Sequence, residues 1–245
     1  MTYIDHNEGI GNAFASYGTE LHSIMERYAK GELTEWDLVD VYKQEFKDKI
    51  PEKFPPNRFV NLRESYYNQG LYFLQNFQGF PKQFQVVGSE VEFELDFDDW
   101  IFNGIIDLIL LDEDGEYIIV DYKSKGGFKN KKEKAEYARQ LYLYSLYIEK
   151  TYKKRPKELV FVMFRKNEMV RIKYSNKDLE EACKWARDTV QLIRDKAKEV
   201  DLEIDLFGEA KMDGIYKPSP DQFFCSYLCN HRKKCPFKEQ EEEDG

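Results

Sequence analysis

Asp121, Tyr122 and Lys123 close an apolar run, Ile118-Ile-Val, and carry the first chemical signal in the chain. Side chains of a strand alternate faces, so Asp121 and Lys123 share one. Upstream, Gly104-Ile-Ile-Asp107 lies in a second apolar run, and Asp112-Glu-Asp-Gly115 separates the two. The pair reads as a hairpin. A two-residue loop would put Asp107 and Asp121 on opposite faces. A three-residue loop, Glu113-Asp114-Gly115 with the glycine left-handed, pairs Asp112 with Glu116 instead. Counting back, it sets Asp107 opposite Asp121, about 5 Å apart on one face; this is the expected register. Two carboxylates so close repel unless a cation lies between them. Hard oxygen ligands suit Mg²⁺ or Mn²⁺. An ammonium one strand repeat away can hold a phosphate oxygen or orient a water. Such a set suits hydrolysis of a phosphodiester. A structural ion pair at a strand end is the plain alternative.

The elements that must position these residues follow from periodicity. Apolar residues recur at helical spacing from Phe14 to Tyr28, ended by Gly31. A second helix is expected from Thr34, as N-cap with Asp37 three residues on, to Phe46. After Pro51, Pro55 and Pro56, an aromatic-rich helix is expected from Arg58 to Phe77. The period then changes to two, with Val87, Val91, Phe93, Leu95 and Phe97 alternating with acids as in a half-buried strand. Strands are expected at Ile101–Leu111 and Glu116–Lys123, a helix at Glu133–Tyr152, strands at Leu159–Arg165 and Met169–Tyr174, and a helix from Asn176 to Val200. The order predicts an α/β domain with a mixed central sheet flanked by helices. It is read as a single domain over 1–245, with a helical part at 1–82, the core at 83–200, a cysteine-rich module at 216–237 and an acidic tail at 238–245.

The chain has 245 residues, of which 42% are hydrophobic and 16% aromatic, enough for one sizeable core. No run of apolar residues is long enough to cross a membrane, and the first residues lack the apolar core of a signal peptide. A cytoplasmic location is expected. The net charge of −9 argues at first against a nucleic-acid partner. Its distribution says otherwise. Between Lys82 and Lys123 there is no lysine or arginine, yet eleven acids precede Asp121 there, and five more acids lie in Glu239–Asp244. Lysines follow at once, at 123, 125, 129, 131, 132 and 134. A cation site beside a path for a polyanion fits that pattern.

Two further motifs stand in order with the hairpin. Gly18-Thr-Glu-Leu-His22, followed by Glu26, opens the first helix, and Gln140-Leu-Tyr-Leu-Tyr144 puts glutamine and tyrosine on one face of the helix after Lys123. Together with Asp107 and Asp121-Tyr-Lys123, these motifs resemble the PD-(D/E)XK nuclease superfamily, and specifically its RecB-like branch, over Gly18 to Pro236. The resemblance implies a restriction-endonuclease-like core. It implies Asp107 and Asp121 as metal carboxylates, His22 as a histidine ligand and the backbone carbonyl of Tyr122 as a further ligand. Lys123 would be the catalytic lysine, and Gln140 and Tyr144 would position DNA; Lys125 and the lysines at 129–134 either grip phosphates beyond the scissile bond or belong to a solvated loop. Glu92 is a further candidate as a supporting acid.

The cysteine-rich end resembles the cluster-binding end of AddB-type and CRISPR-associated RecB-like nucleases, with departures. Cys225-x3-Cys229-x5-Cys235 has a first gap of three, and no cysteine precedes Cys183 to act as a fourth thiolate. His231 lies inside the cluster and would complete a Cys₃His zinc set. Structural Zn²⁺, a [4Fe–4S] cluster with a substitute ligand, and no metal stay open. The expectation is a Mg²⁺- or Mn²⁺-dependent DNA exonuclease of recombination or repair, in a prokaryotic cell or its phage, with a helicase or recombination protein as partner. The alternatives are a CRISPR-associated or structure-selective endonuclease, or a catalytically silent nucleic-acid-binding subunit.

Overall fold

The computed structural model describes residues 9–208, 210, 215, 221–233 and 235. The acidic tail, Lys234, Pro236 and part of the module read at 216–237 lie outside the described residues. The chain divides into two compact units, residues 13–183 and residues 1–12 with 184–245.

The first unit holds the elements in the expected order: α1 (Ala13–Ala29), α2 (Leu38–Lys49), α3 (Leu62–Asn76), β1 (Gln85–Phe97), β2 (Trp100–Leu111), β3 (Tyr117–Lys123), α4 (Lys131–Tyr152), β4 (Glu158–Met163) and β5 (Glu168–Lys173). The strands form one mixed sheet in the order β1-β2-β3-β4-β5. β3 and β4 run parallel, joined by the α4 crossover, and every other pair is antiparallel. This is the α/β architecture of a restriction-endonuclease-like core.

β3 is the sheet's centre, and Ile118 to Tyr122 are all buried. Its even-numbered residues Ile118, Val120 and Tyr122, with Leu108, Leu110 and Val160 of the neighbouring strands, join one apolar core with Tyr17, Leu21 and Ile24 of α1 and with α2 and α3. Its odd-numbered residues face the side of α4, which packs on β3 and β4. Alternation along one buried strand therefore separates a core face from a face that carries Asp121 and Lys123.

Two boundaries differ from expectation for local reasons. Thr34 does not cap α2: its N–H and hydroxyl both donate to the carboxylate of Asp37, at 2.7 and 2.6 Å, closing a turn, and the helix begins after Asp37. α3 starts at Leu62 rather than Arg58, because the Asn61 side chain accepts from the Glu64 N–H and fixes the start there.

The helix α5 (Asn176–Phe207) starts within the first unit and ends beyond the expected end at Val200, its residues from Lys184 on belonging to the second unit. The second unit's described C-terminal residues include a π turn, Phe224–Leu228, and the turn that follows. Residues 10–12 clasp this segment. The Ile10 N–H donates to the Asn230 carbonyl at 2.8 Å, Asn12 donates to the Leu228 carbonyl at 3.2 Å, and Arg232 donates to the Gly11 carbonyl at 2.8 Å.

Candidate active site

The hairpin closes as its sequence requires. Gly115 has φ of +73°, the Gly115 N–H donates to the Asp112 carbonyl, and the Asp112 N–H donates to the Glu116 carbonyl, both at 3.0 Å. Pairs Leu111↔Tyr117 through Leu108↔Val120 follow, so the next position in the register sets Asp107 opposite Asp121. Regular pairing stops there. The Asp107 carboxylate takes the place of a ladder acceptor, receiving the Tyr122 N–H at 2.6 Å. The strands part where the acids sit.

β1 adds a third acid that the sequence reading passed over. Its register with β2 shifts between Val86 and Gly88, and the neighbours Ser89↔Leu108 and Val91↔Ile106 set Glu90 across from Asp107. Glu90 has φ of +48°, a left-handed conformation that costs a non-glycine residue on the order of 1–3 kcal/mol. Glu92, the candidate supporting acid, is exposed. The local sign of a bulge is Gly88-Ser89, a weak strand pair inside a run of alternating apolar residues.

α1 brings His22 to these acids. Its Nδ1 lies 3.6 Å from Asp107 Oδ2 and 3.7 Å from Glu90 Oε1, and its Nε2 lies 3.0 Å from the Tyr122 carbonyl oxygen. Gly18, one turn earlier, lets the helix come close: a Cβ there would sit 3.2 Å from Ser124 Oγ, just past Lys123. His22, Glu90 and Asp107 offer ligand atoms that all lie within 4.8 Å of one another, the one group of three of its kind among the described residues.

The electrostatics fit a cation. Burial, then the neighbouring charge of Asp121, push the pKa of Asp107 up to about 7. Burial also raises Asp121, against the pull of Lys123. Burial works against a charged His22, but Glu90, Asp107 and Asp121 together outweigh it and raise its pKa. Buried carboxylates forced toward their neutral forms are what a bound divalent ion would relieve.

Lys123 completes the arrangement. Its ammonium donates to Asp121 Oδ1 at 2.9 Å, lies 2.7 Å from Oδ2 and reaches Gln140 Oε1 at 3.4 Å. Gln140 in turn donates to the Tyr144 hydroxyl at 2.5 Å. The Tyr144 ring is core: it is 5% exposed and packs edge-on against Phe93, so only its hydroxyl end belongs to the site. Gly104 makes room for it, since a Cβ there would meet Phe93 and Tyr144 ring carbons at 2.9 Å. Lys125 is tied to Glu133 at 2.8 Å and lies over the Tyr137 ring.

The structure thus brings together Asp107, Asp121, Tyr122, Lys123, His22, Gln140 and the Tyr144 hydroxyl. It does not bring together Cys225, Cys229, His231 and Cys235: among the described residues, no three of them offer ligand atoms within 4.8 Å of one another, and no disulfide joins them. The Cys225 and Cys229 N–H groups donate to the Asp221 and Phe224 carbonyls as parts of successive turns, which leaves the spacing of the thiols to irregular backbone. No described helix is long and apolar enough to cross a membrane.

A sequence model of the PD-(D/E)XK nuclease superfamily matches residues 3–236. No curated protein matches the chain.

Proposed function

Because the chain belongs to the PD-(D/E)XK nuclease superfamily, we propose that it is a divalent-metal-dependent deoxyribonuclease of the RecB-like branch, acting as an exonuclease in recombination or repair. The observation that carries the reading is the convergence of His22, Glu90 and Asp107 beside the Asp121–Lys123 ion pair. His22, Asp107, Asp121 and the Tyr122 carbonyl would hold Mg²⁺ or Mn²⁺, with Glu90 as an added acid. When bound, the ion supplies an acidified water and charge neutralisation at the phosphate. Lys123 presents its ammonium to a phosphate oxygen, held in place by Asp121 and Gln140. The Tyr144 hydroxyl fixes the Gln140 amide, so the amide oxygen faces the lysine.

End-labelled linear DNA, incubated with Mn²⁺, tests this. Stepwise shortening that EDTA abolishes is expected. Cutting of covalently closed circles would replace the exonuclease reading with a structure-selective or CRISPR-associated endonuclease. No cleavage of any DNA with Mg²⁺ or Mn²⁺, by protein that binds it, would make the chain a silent binding subunit.

A further inference from the structure

We propose that the free edge of β1 is a docking strand for a partner protein, which contributes an extended segment of alternating basic and apolar residues. This goes beyond the nuclease reading and does not depend on it. β1 is the outer strand of the sheet, and among the described residues no strand pairs with its other edge. Past Glu90 it becomes half of a two-stranded ribbon: β1 pairs β2 as far as Phe97↔Trp100, whereas β2 pairs β3 only over Leu108–Leu111. From Val91 to Phe97 the register runs without a shift, and the segment has no proline and no lysine, the usual means of blunting an edge. Such an edge offers a row of backbone donors and acceptors, which is what strand addition uses.

The side chains decide what can be added. Glu92, Glu94 and Asp96 are exposed and alternate with Phe93, Leu95 and Phe97, which are buried. Phe93 packs on Tyr144 and Tyr147 of α4, so its face of the ribbon is core. On the other face the acids stand beside Ile101 and Ile105 of β2, which pair with Asp96 and Glu92 and are 62% and 44% exposed. None of the three acids is held in an ion pair with a described residue. A second copy of β1 would set acids beside acids, and like charges directly opposite destabilise a strand pair. A nucleic acid is repelled for the same reason. A strand with lysine or arginine opposite Glu92, Glu94 and Asp96 pairs each charge, and apolar residues between them extend the buried row of Phe93 and Leu95.

The test uses the full chain, without DNA and with EDTA present, and a fluorescein-labelled peptide of sequence Thr-Lys-Val-Arg-Val-Lys-Thr. Fluorescence anisotropy should show saturable binding, and amide hydrogen exchange should slow at alternate residues of Val91–Phe97. Two control peptides separate charge from strand. One is N-methylated on alternate residues and keeps the charge; the other carries glutamate for lysine and arginine and keeps the backbone. Each should bind about tenfold more weakly or worse. The double variant Glu94→Lys with Asp96→Lys should lose about tenfold for the basic peptide and gain binding of the acidic one, with unchanged melting to show that it folds. The proposal is overturned if the basic peptide does not bind, if the N-methylated peptide binds as well, if the double variant binds the basic peptide unchanged, or if the protection falls outside β1. Self-association of the chain with protected β1 amides would also overturn it, by seating a second copy on the edge. The peptide controls use the parent protein, so they decide the matter even if the double variant fails to fold.

Discussion

Two regions of this chain carry metal-ligand residue types at short spacing, and they are built differently. At the acid centre, His22, Glu90 and Asp107 come from α1, β1 and β2, far apart in sequence, and their ligand atoms converge within 4.8 Å. At the C-terminus, Cys225, Cys229, His231 and Cys235 lie within eleven residues and do not converge among the described residues. The difference lies in what holds the backbone. Ladder hydrogen bonds fix Asp107 and Asp121 to one register, and a buried helix fixes His22, so their positions are paid for by the fold and not by a ligand. Cys225 stands on a π turn, Cys229 at its end and Cys235 on irregular backbone, where close spacing along the chain does not impose close spacing of the sulfurs.

If that contrast is right, the largest losses follow from touching the acid centre. Asp107→Asn, Asp121→Asn and Lys123→Ala should each lower kcat/KM on DNA by about a thousandfold or more, with the melting temperature of Asp107→Asn unchanged or raised. Substantial activity in any of them would break the assignment. Relief of buried charge is the reason stability should not fall: Asp107, pushed up to about 7 by burial and by Asp121, gains nothing from its charge without a cation. Glu90→Gln should be milder, costing about 10–100-fold at limiting Mg²⁺ and recovering as the metal is raised, as for a group that supports a metal site. A loss that metal cannot rescue would move Glu90 from the metal to the DNA.

Much of this centre was legible in the sequence because strand parity is strict. Once Gly115 is given a left-handed turn, the register of Asp107 and Asp121 has no freedom left. Glu90 was not legible, because a bulge and a positive φ break the same parity that made the aspartates readable. The clasp of residues 10–12 on residues 228–232 was equally hidden, since irregular backbone pairing has no periodic signature. The ring of Tyr144 is core while its hydroxyl meets Gln140, and the sequence clue to that packing is Gly104, the small residue that makes room for the ring.

The scaffold around the acids gives the next, smaller effects. Gly104→Val forces a side chain against Phe93 and Tyr144, and should destabilise by about 1–3 kcal/mol as overpacking does, lowering kcat/KM through displaced Gln140. An unchanged melting temperature would mean that β2 and α4 yield more easily than the packing suggests. Glu20 on α1 is a buried acid of another kind, 3% exposed, with its pKa pushed up to about 7 by burial and then by Glu45. The folded state therefore holds a proton that the unfolded chain releases near pH 4, and stability falls as pH rises across that interval. Glu20→Gln should leave stability alike at pH 4 and raise it by about 1 kcal/mol at pH 8, a few degrees in melting temperature. A constant difference at both pH values would show that Glu20 stays ionised in the fold.

The smallest catalytic effect belongs to the cysteines, and it decides whether the contrast between the regions holds. Cys225→Ser and Cys229→Ser should leave kcat/KM within about twofold, because among the described residues neither thiol belongs to the group of ligand atoms at the acids, and an interaction absent at the transition state changes no rate. A loss of tenfold or more would join the two regions into one machine. A structural zinc or iron–sulfur centre is a separate proposal, since it requires metal to draw Cys225, Cys229, His231 and Cys235 together. Zinc at one equivalent in colourless protein would support the first, visible absorbance with bound iron the second. Either would leave the prediction on kcat/KM standing, because a metal that staples a turn adds to folding free energy and not to the barrier for cleaving a phosphodiester.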